Sequence, residues 1–268
     1  MNWKDQLPTL LLPDLQRFVQ TERPCVRLRV TAAAPEHAWS SALGPIQYWP
    51  LAKTWPTDEQ GRPLFGLLQL NLAELPHLPD LPAQGMLQFF ISDDAFWGAN
   101  PVAHQQAQRN YRVVYHPTNR PEAEPLRTDF SFLPEFVDLP LRTTTRQAIS
   151  GQLERMPMPP EDVRFPRVLG DLFAALGDAQ WDVLRQYRQA IGTVGHRLGG
   201  YPGFAQEDTR QGNPLPELLL QLDSDPDAEL MWGDYGVAHW LYSPPSEVTE
   251  RSLTADPFAQ VTYSWENA

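Results

Sequence analysis

Four aspartates in one loop have the spacing that best suits a metal ion. Asp223, Asp225 and Asp227 occupy positions 1, 3 and 5 of a frame like that of an EF-hand, and Asp234 occupies position 12. Calcium is bound by six to eight hard oxygens, which alternating aspartates in a tight loop can supply in part. Position 6 is Ala228 instead of glycine, and Asp234 is shorter than the usual Glu. The pattern therefore favours an acidic hairpin loop, with a calcium or magnesium site as the alternative and no other cofactor implied.

A short turn follows, in which the sequence Trp-Gly-Asp-Tyr-Gly begins at Trp232. Its glycines permit positive φ, and the Asp234 side chain can cap the turn's own amides. We favour a structural turn with Trp232 packed in the core. The alternative is a ligand cleft made by Trp232, Asp234 and His239.

The six histidines show no pair at the i, i+4 spacing of a helical metal site. His196, beside Arg197, is the best candidate to bind an anion or a carboxylate, although capping of a helix end is favoured. The sequence contains no P-loop, no dinucleotide fingerprint and no nucleophile elbow. These observations favour a protein that is not an enzyme.

Polar residues interrupt two strongly apolar runs in similar places. Gln69 and Asn71 lie in one run, and Gln221 and Asp223 lie in the other. Buried amides need hydrogen-bond partners, so a structural role is favoured. The alternative is a ligand pocket where the two runs converge.

The passages 43–92 and 198–243 share an ordered set of matches, among them Leu-Gln-Leu in each apolar run. This predicts an α+β fold with internally duplicated, mainly antiparallel sheets and a helix before each repeat. We expect a single domain of two related units, 1–116 and 166–268, joined by a proline-rich connector at 117–165.

Apolar periodicity predicts the individual elements. A helix is expected within 3–21, and two more within 166–191, separated at Gly177. Strands are expected at 26–30, 65–72, 86–91, 111–115 and 261–265.

The composition limits the classes of partner. The 268 residues carry a formal net charge of −12, which disfavours nucleic acid and favours a basic protein. The N-terminus does not resemble a signal peptide, and no stretch is long and apolar enough for a membrane span. With Cys25 as the single cysteine, a soluble cytoplasmic protein is expected.

Three motifs of the second passage are together specific: His-Arg-Leu-Gly-Gly-Tyr-Pro at 196–202, Leu-Gln-Leu-Asp-Ser-Asp at 220–225 and Met-Trp-Gly-Asp-Tyr-Gly-Val at 231–237. With them the chain resembles the YwqG-like family of bacterial proteins. The resemblance implies an α+β fold with duplicated sheets, a bacterial cytoplasmic setting and no assigned activity. Pro45 departs from the Gly-Gly-x-Pro pattern that relatives show in the first passage.

We therefore expect an acidic module that binds another protein, one version being an immunity-type partner of a basic toxin. The alternative is a protein that binds a small ligand or a divalent cation, or a hydrolase, with its site at the loop from Asp223 to Asp234.

Overall fold

Runs rich in leucine, β-branched and aromatic residues form most of the strands. The structure, a computed structural model, describes residues 3–99, 108–118, 125–142, 145–208, 210, 216–243 and 256–268. Within these ranges the strands form one ten-stranded sheet, in the order β10-β9-β8-β7-β1-β6-β2-β3-β4-β5, and all neighbours pair antiparallel. The strands are β1 Arg23–Thr31, β2 Ala42–Leu43, β3 Phe65–Asn71, β4 Met86–Ile91, β5 Tyr111–His116, β6 Gln147–Met156, β7 Arg197–Gly199, β8 Glu217–Asp223, β9 Val237–Tyr242 and β10 Thr262–Glu266.

The sheet curves until its two end strands approach each other, so it resembles a nearly closed barrel. The Tyr111 hydroxyl of β5 donates to the carbonyl of Val261, the residue before β10, at 2.9 Å. The rings of Tyr111 and Tyr263 also pack together, with centroids 5.3 Å apart. Leucines and aromatic residues of both halves fill the enclosed core, where Phe89 of β4 contacts Trp240 of β9.

The helices are short and, apart from the 3-10 helix Pro226–Ala228, whose Ala228 lies in the enclosed core, they pack together on the outside of the sheet. They are α1 Leu15–Gln20, α2 Phe165–Val168, α3 Gly170–Ala174, α4 Gln180–Ile191 and the 3-10 helices Trp3–Gln6, Thr9–Asp14, Gly177–Ala179 and Pro226–Ala228. Phe18 of α1 lies against Phe173 of α3 and Tyr187 of α4 in a second apolar cluster, which reaches the sheet at Cys25 and Met156. None of the helices within the described ranges could span a lipid bilayer.

The predicted fold class, α+β with internally duplicated sheets, was wrong. The chain forms one continuous antiparallel sheet because β6, which comes from the predicted connector, pairs with β1 along nine residues and also pairs with β2. Helices do precede each of the two passages along the chain, at 3–20 and at 165–191, but both groups pack into a single apolar cluster instead of one with each unit.

The individual strands expected at 65–72, 86–91, 111–115 and 261–265 are confirmed within a residue at each end. The helix expected within 3–21 is divided into two 3-10 helices and the short α1, and Pro13 lies inside the second 3-10 segment. Proline lacks the amide hydrogen that a longer α-helix would use there.

Candidate functional site

Gln69 holds the loop that precedes β3, and its amide is fully used. Its Nε2 donates to the carbonyls of Ala38 and Ser40, both at 2.8 Å. Its Oε1 accepts from the backbone N–H groups of Gln47 and Tyr48 at 3.3 and 3.2 Å. Asn71, two residues further along, holds the same loop, because its side chain donates to the carbonyl of Trp39 at 3.2 Å.

Gln221 makes equivalent bonds to the loop around β7. Its Nε2 donates to the carbonyls of Thr193 and Gly195, both at 3.0 Å, and its Oε1 accepts from Gly203 N at 2.8 Å. His239, paired with Gln221 across β8 and β9, donates from Nε2 to the carbonyl of Gly203 at 3.0 Å. Gln69 and Gln221 therefore each fix a separate loop, and their side chains do not converge on one pocket.

His196 joins β7 to the aspartate loop. Its Nδ1 accepts from the backbone N–H of Asp223 at 3.1 Å, which leaves the proton on Nε2, where it donates to Asp225 at 3.2 Å. This bond lowers the pKa of Asp225 below its ordinary value. Both nitrogens of His196 are occupied, so the geometry is that of a structural bridge and not of an exposed general base.

The aspartate loop folds around its own backbone. Asp225 caps the 3-10 helix by accepting from the N–H groups of Asp227 and Ala228, and Asp223 accepts from Gly195 N at 2.7 Å. Asp227 and Asp234 are exposed. Among the residues that the structure describes, no three His, Cys, Asp or Glu side chains are grouped to hold a metal ion.

Trp232 lies in the enclosed core, fully buried against Trp97 and Trp240, with ring centroids 5.5 and 6.2 Å away. His239 precedes Trp240 in β9, and successive strand residues face opposite sides of the sheet. Trp232 and His239 are consequently separated by the sheet and do not share a cleft.

Four chain segments converge at one end of the barrel, which we call the acidic end. Asp93 accepts from the backbone N–H groups of Val137 and Asp138, at 3.0 and 2.6 Å. Beyond them, Met231 N donates to Pro140 O at 2.7 Å. The C-terminal segment joins at Asn267, whose side chain accepts from Asp234 N at 3.0 Å.

Besides Asp93, whose carboxylate accepts two backbone N–H groups, the acidic end carries six carboxylates that form no ion pair within the described ranges. They are Asp94, Glu135, Asp138, Asp227, Glu229 and Asp234. Arg142 lies among them, with its backbone N–H bonded to the carbonyl of Glu229 at 3.0 Å. The local charge is therefore strongly negative.

Exposed apolar side chains accompany these carboxylates. Phe96 is 50% exposed, Tyr235 62% and Val137 85%. An apolar cleft of about 710 Å³ opens beside them, lined by Phe65, Phe136 and neighbouring residues and bordered by Glu135 and Arg142. The acidic end thus combines charge with apolar surface and a recess, as protein-binding surfaces do.

Sequence reasoning missed the charged residues that the fold buries. Asp162 is 1% exposed and forms ion pairs with Arg164 at 2.6 Å and Arg210 at 2.8 Å. Burial opposes ionisation, but the hydrogen bonds from Arg164 and the charge of Arg210 lower the pKa of Asp162. Arg197 is also buried, and its position beside His196 in the sequence gave no sign of this.

Comparison with protein families gives a match. A family model described as a domain of unknown function (DUF1963) matches residues 41–266, which is most of the chain and includes the acidic end. No curated protein matches the chain significantly.

Proposed function

This chain belongs to the DUF1963 family of domains of unknown function, and we propose that it is a non-enzymatic binding module that holds a basic protein against its acidic end. The observation that carries the proposal is the convergence of four segments that place six unpaired carboxylates around exposed Phe96, Val137 and Tyr235. Complementary charge speeds association and sets specificity, while apolar anchors supply affinity.

Backbone geometry at the acidic end supports the proposal. The non-glycine residues with positive φ in the described ranges are Trp97, Glu229 and Tyr235, with φ of 51°, 55° and 53°, and all three lie there. Such conformations cost about 1 to 3 kcal/mol each and concentrate where a binding surface is held in a required shape. Tyr235 is projected into solvent by this turn instead of being packed in the core.

The apolar cleft suggests how a basic partner would be held. An apolar side chain of the partner would lie in the cleft against the packed rings of Phe65 and Phe136, while neighbouring lysines or arginines meet Glu135. One version of the proposal is neutralisation of a basic toxin domain in the bacterial cytoplasm. The same proposal includes two further points: that the chain is a YwqG-like protein, and that it acts in the cytoplasm.

The test compares two variants with the same change in charge. One variant replaces four carboxylates of the acidic end (E135Q, D227N, E229Q and D234N), and the control replaces four exposed carboxylates elsewhere (D5N, D80N, D178N and E207Q). Basic proteins captured from a bacterial extract at about 50 mM salt are identified, purified and titrated with each variant. We expect the first variant to weaken binding at least about tenfold and the control to change it less than about threefold, because the local charge makes the contact.

A second variant, Tyr235→Ser, tests the apolar part of the surface. We expect it to weaken binding of the same purified partner by about tenfold with little change in the salt dependence. Failure to capture any basic partner, or equal loss of binding in the acidic-end and control variants, would contradict the proposed function.

A further inference from the structure

A second recess of opposite charge lies far from the acidic end. A groove of about 680 Å³ opens on the outer face of β1 and β6, between the 3-10 helix Trp3–Gln6 and the last residues of α4. Gln147, at the start of β6, donates to Ala228 near the acidic end, whereas the groove lies at the other end of β6, around Glu154. At about 3.3 Å per residue, the two sites are roughly 20 Å apart.

The groove is basic although the protein has a net charge of −12. Its lining includes five cationic residues, Lys4, Arg27, Arg29, Arg155 and Arg197, and two acidic residues, Glu22 and Glu154. Glu22 forms ion pairs with Lys4 and Arg155, and Glu154 forms one with Arg27. In the described part of the chain, Arg29 and Arg197 have no carboxylate within ion-pair distance.

Arg197 is the unusual member of this set because it is only 2% exposed. Its guanidinium donates to the carbonyls of Thr193 and Tyr201 and approaches the Met156 sulfur at 3.8 Å. Burial lowers the pKa of Arg197 to about 10. A buried cation without a direct ion pair is unfavourable, and the charges of Asp223 and Glu154 act on Arg197 only from a distance. An anion in the groove would therefore offset part of the cost of burying it.

Strand geometry arranges the cations on one surface. Cys25, Arg27 and Arg29 alternate along β1 and therefore project from the same face. On one side of β1, Cys25 pairs with Glu154 of β6. On the other side of β1, Arg27 pairs with Arg197 of β7. Arginines are well suited to planar oxyanions, to which they can donate two parallel hydrogen bonds.

Apolar groups complete the lining of the groove. Trp3, Cys25, Met156 and Ile191 contribute to it beside the cations. Burial raises the pKa of Cys25, which keeps the thiol neutral and unreactive. The lining therefore suits a ligand with both a carbon body and several negative charges.

We propose that this groove binds a small polyanion carrying two or more carboxylate or phosphate groups, with Arg29 and Arg197 as its charge partners. The proposal does not depend on the acidic end or on a protein partner. It assigns to this module a second, small-molecule site of opposite charge.

Calorimetric titration with citrate, inorganic pyrophosphate and acetate at about 50 mM ionic strength tests the proposal. We expect saturable binding of citrate or pyrophosphate at least about tenfold tighter than that of acetate, since multiple charges engage several arginines. Preference between citrate and pyrophosphate distinguishes carboxylate from phosphate ligands, and tighter binding of either one supports the site.

Arg29→Gln is the main variant, because Arg29 is exposed and its loss should not disturb folding. We expect it to weaken binding about tenfold, and Arg197→Lys, which retains a cation but loses the planar fork, to weaken it similarly. Arg185→Gln is the matched control, since that exposed arginine pairs with Asp182 on α4 away from the groove and should leave binding unchanged. Absence of saturable binding below about 10 mM, or equal effects of Arg29→Gln and Arg185→Gln, would overturn the proposal.

Discussion

At the scale of single residues, the polar side chains that attract attention in the sequence mostly hold loops in place. Gln221 satisfies two carbonyls and one N–H of the loop around β7, and Gln69 satisfies two carbonyls and two N–H groups of the loop before β3. The sequence could indicate that such buried amides need partners, but not that those partners are backbone groups of nearby loops. Spacing specifies which face a residue lies on, whereas its partner depends on a loop path that spacing does not describe.

Replacement of Gln221 by leucine tests this structural role. Gln221→Leu keeps much of the side-chain volume but leaves the carbonyls of Thr193 and Gly195 and the N–H of Gly203 without these bonds. We expect the free energy of unfolding to fall by about 3 kcal/mol in urea denaturation, because each unsatisfied buried group costs about 1 to 3 kcal/mol. Gln206→Leu is the control, since Gln206 is exposed and makes one long hydrogen bond of 3.4 Å; it should change stability by less than about 0.5 kcal/mol. Equal effects of the two changes would refute the assigned role.

At the scale of elements, the sequence was informative where a strand is buried on both faces. β3 and β4 are apolar runs buried along their whole length, and they were predicted within a residue at each end. β6 was missed although it is the longest strand of the described chain, because half of its residues are polar and Gly151 lies at its centre. That strand joins both halves into one sheet, so missing it also produced the wrong fold class.

The edge formed by β9 and β10 provides a prediction at this scale. A Cβ on Gly236, just before β9, would overlap the carbonyl oxygens of Glu266 in β10 and of Trp232. Both obstacles are backbone atoms, so Gly236→Ala must displace β10, and we expect a loss of about 3 kcal/mol in unfolding free energy. Gly61→Ala is the comparison, since Gly61 has φ of +79° but no atom within 4 Å of the added Cβ, and should cost about 1 kcal/mol. If thermal unfolding showed the same loss for both, strand displacement would not be the cause.

At the scale of the whole molecule, the fold separates charge that the sequence mixes. The carboxylates of the acidic end come from distant parts of the chain, such as Asp94, Glu135 and Asp227, and β6 separates them from the basic groove. The net charge of −12 led us to expect an acidic surface, but the location of the carboxylates follows from strand pairing over long sequence distances. The basic groove is still harder to anticipate, because its cations are outnumbered along the chain and are concentrated only when β1, β6 and β7 assemble.

Two buried histidines, one in β5 and one in β9, make the stability of the protein depend on pH. Burial lowers the pKa of His116, helped by the adjacent Lys53, to about 3, and burial lowers that of His239 to about 4, from an ordinary value of 6.5. His116 bonds to Lys53 and Gln88, whereas His239 bonds to the carbonyl of Gly203. Because they share no partner, their contributions should add. Below pH 6.5 the unfolded chain takes up protons that the folded protein does not, and stability therefore falls as the pH decreases towards 4.

We expect the unfolding free energy, measured by urea denaturation from pH 7 to pH 4.5, to fall with a limiting slope of about 1.4 kcal/mol per pH unit for each histidine. His116→Gln and His239→Gln should each remove about half of the histidine contribution to the slope, and the double variant should remove nearly all of it, whatever the change in stability at pH 7. Burial raises the pKa of Glu266, which opposes this trend, but that contribution is common to all the proteins compared. His37→Gln is the control, because His37 is exposed and should leave the slope unchanged. A double variant with the slope of the original protein would show that the buried imidazoles do not govern the pH response, and that the acid sensitivity belongs to carboxylates elsewhere in the sheet.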